Sequence, residues 1–347
     1  MENQTTKPII SPADLVSQLP LPKTSREVVH RNRKEIRNIL DGKDDRLLLI
    51  VGPCSIHDEN SAVEYARRLN ELRLQTKDRL HIIMRLYFEK PRTVLGWKGL
   101  VMDPHLNGTN DIEQGLRTAR SLLIRITSLG LGAGMEMLDP IIMEYVSDLV
   151  SWASVGARTS ESQIHRQSAS SARIPVGFKN GTDGSVESAV HAIKAAQTSH
   201  CFPGIDQNGK VCLVRTEGNP CGHLVLRGGK DGPNYDKESC YRAGDKLKSA
   251  GLNPSCIIDC SHKNSGKEYL RQIDVWKNAA ARRRNGEEHI RGLMAESFLR
   301  DGKQALNSVK NLQYGVSVTD PCLGWEKTEE LILWTCDLYG KQGGSQS

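Results

Sequence analysis

Residues 47–58 read LLLIVGPCSIHD, and this stretch decides the predicted fold. Its first five residues are all Leu, Ile or Val, a pattern typical of a strand buried on both faces, as the strands of parallel sheets are. Gly52 and Pro53 end the apolar run, and Cys54, Ser55 and His57 follow within four residues. The strand therefore ends in side chains that can bind a ligand.

The same succession of a short apolar strand, a polar residue and a helix recurs along the chain. The apolar runs predict eight strands, at residues 47–53, 81–88, 132–138, 152–158, 174–180, 222–229, 255–261 and 290–297. Helices are predicted between them, including one over residues 265–284. Eight strands alternating with helices favour a (β/α)8 TIM barrel of the α/β class. An open doubly wound sheet is the alternative, although no GxGxxG motif opens the first unit.

Three segments fall outside the repeat of strand and helix. Residues 1–45 lack the strand pattern and are predicted to form an N-terminal extension with an interface or regulatory role. The Asn-Gly pair at residues 208–209 is a strong signal for a tight turn, and it predicts a β-hairpin inserted near residues 202–221. The catalytic barrel with this hairpin is expected to span residues 46–340, followed by a flexible tail at residues 341–347.

Composition and charge narrow the class of protein. The formal net charge of +6 is spread along the chain, and the basic run at residues 282–284 is interpreted as a solvated helix face. No apolar run approaches the roughly 18 residues that span a bilayer, and no signal-peptide layout opens the sequence. The nine cysteines form no CxxC pair, which favours a reducing compartment. We therefore expect a cytoplasmic protein with no nucleic-acid or membrane partner.

The carboxyl ends of the predicted strands carry six cations. In a TIM barrel these ends meet at one face, where the active site lies. The cations are Arg85, Lys90, Arg92, Arg158, Lys179 and Arg227. Packed together without partners they would repel one another, so they predict anionic substrates that carry a phosphate and a carboxylate, or two phosphates. The alternative is that each cation pairs with a neighbouring Asp or Glu as a structural contact.

A second group near the same strand ends has the chemistry of a metal site. The group consists of Cys54, His262, Glu296 and Asp320. One thiolate, one imidazole and two carboxylates suit a divalent metal with an open position. These residues share no local spacing motif, so only the predicted barrel would bring them together. Cys54 could instead be a small buried apolar residue, and His57 is as compatible with a capping role as with metal binding.

Ten blocks of the sequence resemble one known family. They are VGPCSIHD (51–58), MRLYFEKPRT (84–93), GWKGL (96–100), DPHLNG (103–108), GARTSESQIHR (156–166), PVGFKNGTDG (175–184), LRGGKDGPNY (226–235), IDCSHKNSGK (258–267), MAESFL (294–299) and SVTDPCLGWE (317–326). In this order they are similar to type I 3-deoxy-D-arabino-heptulosonate 7-phosphate (DAHP) synthases, in the microbial aromatic-regulated branch. The resemblance covers roughly residues 15–340 and is far more specific than a single short motif.

This resemblance implies a fold and a reaction. The fold is a (β/α)8 barrel with an N-terminal extension and an inserted β-hairpin. The enzyme is a transferase that condenses phosphoenolpyruvate with D-erythrose 4-phosphate to give DAHP and phosphate, the first step of the shikimate pathway of aromatic amino acid biosynthesis. The resemblance also implies a divalent metal, such as Mn²⁺, Fe²⁺ or Co²⁺, and assembly into a homodimer or homotetramer.

The resemblance also implies roles for individual residues. The family's metal ligands fall on Cys54, His262, Glu296 and Asp320. Its phosphoenolpyruvate contacts fall on Arg85, Lys90, Arg158, Lys179 and Arg227, and its erythrose 4-phosphate contacts fall on Arg92 and Thr93. For acid–base catalysis, our hypothesis is that Lys90 protonates the new alkoxide and that His262 or Glu296 manages the attacking water.

One segment departs from the family pattern. Just before the fifth predicted strand, family members often bind an aromatic effector, and there this chain has Ser168, Ala172 and Arg173. Arg173 replaces a small residue and is expected to project into the effector pocket and fill it, while the other two replace larger apolar residues. Desolvating an unpaired guanidinium beside an aromatic ring is costly. We therefore expect flat inhibition curves for phenylalanine and tyrosine, with tryptophan or a pathway product as the alternative effector.

Other functions remain as alternatives. Lys179 could be the nucleophile of a Schiff-base aldolase, which would act without a metal. A sister enzyme could join phosphoenolpyruvate to another sugar, such as arabinose 5-phosphate, although the KPRT block at residues 90–93 argues against it. A non-enzymatic scaffold could bind an aromatic amino acid or a partner mutase, but the complete metal set argues against that role.

Overall fold

Parallel strands close into a barrel, as the strand pattern predicts. The computed structural model describes residues 6–92, 94–306 and 309–340, so the predicted tail at residues 341–347 lies outside the described residues. The strands are β1 Leu47–Gly52, β2 Leu80–Arg85, β3 Gly132–Glu136, β4 Trp152–Val155, β5 Val176–Lys179, β6 Cys201–Ile205, β7 Val211–Arg215, β8 Gly222–Leu226, β9 Cys256–Asp259 and β10 Ile290–Glu296. The closed sheet has the order β1-β10-β9-β8-β5-β4-β3-β2. The predicted TIM barrel is confirmed.

Helices follow the barrel strands and pack around them. They are α1 Pro12–Gln18, α2 Lys23–Leu40, α3 Glu59–Thr76, α4 Ile112–Ser128, α5 Pro140–Val146, α6 Gln163–Ser171, α7 Glu187–Ala196, α8 Lys237–Ser249, α9 Gln272–Arg284 and α10 Trp325–Gly340. The predicted helix at residues 265–284 begins later than expected. Gly266 and Lys267 have φ angles of +62° and +67°, a left-handed conformation that a helix cannot contain. A 3₁₀ turn at Tyr269–Arg271 then leads into α9.

The barrel interior is filled by side chains and closed at one end by α2. Along β1 the side chains alternate, so that Leu48 and Ile50 point into the barrel while their neighbours pack against the surrounding helices. Ile36, Ile39 and Leu40 of α2 join the interior cluster. Because α2 reaches the amino-terminal end of the strands, the open end of the barrel is the carboxyl end.

A tryptophan and a histidine near the amino-terminal ends of β4 and β8 lie inside the barrel. Trp152 Nε1 donates a hydrogen bond to His223 Nε2 at 3.0 Å, and both side chains are buried. Gly177 makes room for the indole, since a Cβ atom there would lie 2.8 Å from Trp152 Cζ2. Burial lowers the pKa of His223 to about 4, so the imidazole is neutral at physiological pH.

The predicted insertion forms an antiparallel β-hairpin of β6 and β7. Its turn depends on Gly209, whose φ of +76° is a conformation that glycine adopts readily, and on Asp206 Oδ1, which accepts a hydrogen bond from the Asn208 backbone. Ala13 N of α1 donates to Gln207 O at 2.7 Å, which ties the N-terminal segment to the hairpin. Among the described helices, none is long and apolar enough to cross a membrane.

Candidate active site at the carboxyl end of the barrel

A pocket of about 330 Å³ lies where the carboxyl ends of the strands meet. The predicted substrate and metal residues that line it are Arg85, Lys90, Arg92, Arg158, Lys179, Arg227, His262 and Asp320. Local structure explains these positions, because β2 and β5 end at Arg85 and Lys179, and Arg227 follows the last residue of β8. Thr93, the other predicted erythrose 4-phosphate contact, lies outside the described residues.

Three of the four predicted metal ligands form a tight cluster. Ligand atoms of Cys54, Glu296 and Asp320 all lie within 4.8 Å of one another. Cys54 and Glu296 are buried, whereas the side chain of Asp320 is 54% exposed to the pocket. A thiol with two carboxylates suits a divalent transition metal. His262 lines the same pocket but is not part of this cluster among the residues described.

The cluster concentrates negative charge around a lysine. Lys90 Nζ donates to Cys54 Sγ at 2.6 Å and to Asp320 Oδ2 at 2.8 Å. Burial alone would raise the pKa of Asp320, but the Lys90 ammonium holds it well below its usual range. Burial, and the negative charge of Glu296, raise the pKa of the Cys54 thiol to about 12. The geometry therefore favours a cation at this cluster, and a metal would bind Cys54 as the thiolate only by displacing its proton.

Ion pairs join the metal cluster to the substrate cations. Arg85 Nη2 lies 2.9 Å from Glu296 Oε1, and Lys179 Nζ lies 2.9 Å from Asp259 Oδ2. With the contact between Lys90 and Asp320, half of the six cations thus have an acidic protein partner. The alternative that a cation pairs with a neighbouring Asp or Glu therefore holds for these three, because the acids at the ends of β9 and β10 and in the loop after β10 reach across the barrel mouth. The two groups of residues form one connected network.

The remaining three cations face the pocket without an acidic partner among the described residues. Arg158 Nη1 donates only to the backbone oxygen of Pro91, at 3.4 Å. Burial lowers the pKa of Arg227, although Asp259 nearby opposes that effect. The Arg92 side chain lines the pocket and is exposed. These guanidinium groups are therefore available for anionic ligands, to which arginine binds through two parallel hydrogen bonds.

The comparison with known families decides the identification. The sequence model of the DAHP synthetase I family matches residues 22–332. The chain belongs to this family. The Trp-sensitive phospho-2-dehydro-3-deoxyheptonate aldolase of Escherichia coli strain K12 is 48% identical over 324 residues, 93% of each chain. The Tyr-sensitive enzyme of the same strain is 47% identical over 325 residues, 93% of this chain and 91% of its own length.

A solved structure of another relative has the same fold. Phospho-2-dehydro-3-deoxyheptonate aldolase from Francisella tularensis SCHU S4 superposes with a TM-score of 0.95 at 43% sequence identity, over 97% of this chain and 98% of that chain. The family resemblance that the ten sequence blocks predict is thus confirmed.

One lining residue, Tyr87, was not predicted from the sequence. Its ring lies under Arg85, whose guanidinium carbon is 3.7 Å from the ring centroid. Its hydroxyl is 2.7 Å from Ser154 Oγ. Tyr87 therefore stacks against the arginine and holds it towards the pocket. The signal that could have found it is the alternation of side chains, because residues two apart on an extended segment point the same way.

A second cavity, of about 870 Å³, lies behind the active site. It lies between α5, α6 and the hairpin, and its lining includes Ser168, Ala172 and Arg173 together with Phe202 and Val214. Arg173 is exposed, and the cavity is open, so the expectation that Arg173 fills this pocket is wrong. The loop between β3 and α5 divides the two spaces. Glu136 and Leu138 line the active site, and Met137 and Asp139 line the second cavity.

Proposed function

We propose that the pocket at the carboxyl end of the barrel performs the reaction of the family. In this reaction phosphoenolpyruvate condenses with D-erythrose 4-phosphate to give DAHP and phosphate, the first step of the shikimate pathway. The observation that carries the proposal is the network in which Lys90 contacts Cys54 and Asp320 while Arg85 contacts Glu296. Such a network offers positive charge for two phosphates in the pocket and ligands for a metal directly beside it.

The cations divide between the two substrates in this proposal. Those proposed to hold the phosphate and carboxylate of phosphoenolpyruvate are Arg85, Lys90, Arg158, Lys179 and Arg227. Arg92, with Thr93 beside it in the chain, is proposed to hold the phosphate of erythrose 4-phosphate. This division places one cationic cluster over both anionic ends, so it screens their repulsion while the two carbons approach.

The metal is proposed to be Mn²⁺, Fe²⁺ or Co²⁺. Cys54, Glu296 and Asp320 would hold it, and His262 on the pocket wall is the proposed fourth ligand. The chemistry of the donors supports this choice, because a thiolate, an imidazole and carboxylates suit late divalent ions better than Mg²⁺ or Ca²⁺. When bound, the metal would act as a Lewis acid on the aldehyde oxygen of erythrose 4-phosphate.

Protein side chains supply the proton transfers in the proposed mechanism. C3 of phosphoenolpyruvate forms a bond to the aldehyde carbon, and Lys90 Nζ gives a proton to the alkoxide that results. Burial would lower the pKa of Lys90, but the neighbouring Cys54, Glu296 and Asp320 raise it, so the amine carries its proton. Water adds at C2, assisted by His262 or Glu296, and phosphate leaves by cleavage of the C–O bond.

A Schiff-base aldolase that uses Lys179 is disfavoured by the geometry. Burial alone would lower the pKa of Lys179, but Asp259 at 2.9 Å raises it above its usual value. An ammonium held in this way has no lone pair with which to attack a carbonyl group. Borohydride should therefore trap no adduct. The direct test of the proposal is the appearance of DAHP by mass spectrometry only when both substrates are supplied.

The hairpin and the N-terminal segment bear on assembly. We propose a homodimer or homotetramer in the cytoplasm, with residues 1–45 as an interface or regulatory extension to the catalytic barrel at 46–340. The hairpin supports self-association, since the side chains of Val211 and Leu213 are 83% and 62% exposed and a second copy would bury them. Sedimentation velocity of the wild type and of a Val211→Ser, Leu213→Ser double variant tests the assembly.

The second cavity is proposed to be an effector pocket. Its volume accommodates an aromatic amino acid, and two of the relatives are named for sensitivity to tryptophan and to tyrosine. In this chain Ser168 and Ala172 offer little apolar surface, and Arg173 brings an exposed cation to the wall. We therefore propose that phenylalanine and tyrosine bind weakly there. Initial rates measured with each aromatic amino acid test this part of the proposal.

A further inference from the structure

Asp259 lies between a substrate-facing cation and a proposed metal ligand. Its Oδ2 atom accepts a hydrogen bond from Lys179 Nζ at 2.9 Å, and the same atom lies 3.1 Å from His262 Nδ1. Its other oxygen, Oδ1, accepts hydrogen bonds from the Ser261 backbone N and Oγ, at 3.1 and 2.6 Å. Since Asp259 is fully buried, these contacts hold its carboxylate in one orientation.

The contacts of Ser261 determine which nitrogen of His262 carries the proton. Ser261 Oγ donates its hydrogen to Asp259, so towards His262 Nδ1, 2.7 Å away, it can only accept. The carboxylate of Asp259 is also an acceptor. Both neighbours of Nδ1 thus require an N–H there, and Nε2 is the nitrogen with a free lone pair for a metal. A histidine held in this way is a stronger metal ligand, because the acceptor raises its basicity.

We propose that Asp259 is a positioning residue that couples metal binding to phosphoenolpyruvate binding, an inference that rests on the function proposed above. Bound phosphoenolpyruvate accepts hydrogen bonds from the Lys179 ammonium. The negative charge of the Asp259 carboxylate is then less neutralised by Lys179. The Asp259 carboxylate then accepts a stronger hydrogen bond from the Nδ1–H of His262, and Nε2 binds the metal more tightly. By linkage, the metal strengthens phosphoenolpyruvate binding by the same factor.

The test measures Mn²⁺ affinity by competition with a fluorescent chelator. Each protein is titrated without phosphoenolpyruvate and with this substrate at a saturating multiple of its own Kd, as determined by equilibrium dialysis. In the wild type, phosphoenolpyruvate should tighten Mn²⁺ binding by about fivefold or more. Asp259→Asn should weaken Mn²⁺ binding by about 10- to 100-fold and abolish the effect of phosphoenolpyruvate. Asp44→Asn, which breaks an ion pair with Arg46 before β1, should behave like the wild type.

Lys179→Gln separates this proposal from a general structural role. It removes the ammonium but leaves Asp259 facing His262, so Mn²⁺ should bind as tightly as in the wild type or more tightly, while phosphoenolpyruvate no longer changes that affinity. This variant decides the question if Asp259→Asn does not fold. The inference is overturned if the wild type shows no coupling, if Asp259→Asn retains it, or if Lys179→Gln retains it. A wild type that binds no phosphoenolpyruvate would instead overturn the proposed function.

Discussion

The thiol of Cys54 makes metal binding depend on pH. Its pKa of about 12, raised by burial and by Glu296, keeps it protonated near neutral pH. A metal binds the thiolate, so binding releases a proton and must become stronger as the pH rises. We predict that Mn²⁺ affinity increases by about tenfold per pH unit for each proton released, between about pH 6 and pH 8. Calorimetry in buffers of different ionisation enthalpy measures the number of protons released when Mn²⁺ binds.

Cysteine variants supply the controls for this prediction. Cys54→Ala should lose Mn²⁺ binding and turnover together, because the thiolate is the only soft ligand in the cluster. Cys201→Ala, on the exposed hairpin, should retain both properties. Full activity of Cys54→Ala, or an Mn²⁺ affinity that does not change with pH, would show that Cys54 is not a ligand.

The arginines of the pocket should separate the two substrates kinetically. Arg92→Ala should raise KM mainly for erythrose 4-phosphate, and Arg227→Ala should raise KM mainly for phosphoenolpyruvate. Each lost charge-assisted hydrogen bond is worth about 1.5–3 kcal/mol, which is roughly a 10- to 150-fold change. Arg215→Ala on the exposed hairpin is the control and should change neither KM value. If Arg92→Ala affects only phosphoenolpyruvate, the division of the cations is wrong.

At the residue scale, the positions of the charged side chains at the barrel mouth could be predicted from the sequence, but the ion pairs between them could not. Arg85 and Glu296 end their strands, so placing them at the barrel mouth needs only the strand pattern. Predicting their ion pair also requires the strand order and register, because β1 lies between β2 and β10 and Gly52 is the residue opposite Glu296. A Cβ atom at Gly52 would lie 2.5 Å from the backbone oxygen of Arg85. The requirement for glycine at position 52 therefore arises from the neighbouring strand in the closed barrel and not from the local sequence.

At the scale of elements, α6 and the hairpin should decide which effector binds. Ser168 lies in the last turn of α6 and Ala172 directly follows the helix. Each methylene they lack relative to a larger residue removes about 0.8 kcal/mol of apolar contact. We predict flat inhibition curves for phenylalanine and tyrosine in the wild type. The double variant Arg173→Ser, Ala172→Leu should restore measurable binding, because it removes the cation and rebuilds the apolar wall.

Titration calorimetry checks the effector prediction. Arg166→Ser, on the same helix, is a suitable control, since Arg166 does not line the cavity and donates to the backbone oxygen of Ser160 instead. This control should bind phenylalanine and tyrosine no better than the wild type. Micromolar binding of either amino acid to the wild type would contradict the prediction.

Element types were easier to predict than element ends. The Asn-Gly pair located the hairpin because its turn is a local property of the backbone. The start of α9 could not be predicted, because Lys267 adopts a left-handed backbone conformation that is uncommon for residues other than glycine. Its backbone N donates to His262 O at 2.7 Å, so the contacts of the loop that carries His262 set this conformation. The active-site loop therefore determines where the helix begins.

At the scale of the whole molecule, the histidine inside the barrel should make stability depend on pH. The pKa of His223 falls from 6.5 to about 4 on folding, because burial disfavours the charged form. His223 is neutral in the folded protein. Its full contribution to the free energy of unfolding is therefore present above pH 6.5 and is lost as the pH falls towards 4. The loss amounts to about 3 kcal/mol. Urea unfolding at several pH values measures it.

A non-titrating variant isolates that effect. His223→Gln keeps an acceptor for Trp152 Nε1 but takes up no proton, so its stability should fall less than that of the wild type between pH 6.5 and pH 4. Other groups titrate equally in both proteins and cancel in the comparison. Parallel pH profiles of the two proteins would contradict the assignment of the loss to His223.

Closure of the barrel creates the active site. The cluster of Cys54, Glu296 and Asp320 spans 266 residues of sequence, so no local motif could reveal it. The strand pattern predicted a closed barrel, and the rule that barrel active sites lie at the carboxyl ends then selected the residues. Which acids neutralise which cations could not be predicted, because that depends on side-chain orientation across the mouth of the barrel.

The central claim is that one pocket joins two anionic substrates with the help of a metal held by the strand-end cluster. The most direct measurement is the initial rate of DAHP formation from phosphoenolpyruvate and erythrose 4-phosphate, before chelation, in excess chelator and after addition of Mn²⁺. The account predicts product only when both substrates are present, loss of activity in chelator, and recovery with Mn²⁺. Absence of product under all three conditions, or full activity in excess chelator, would contradict it.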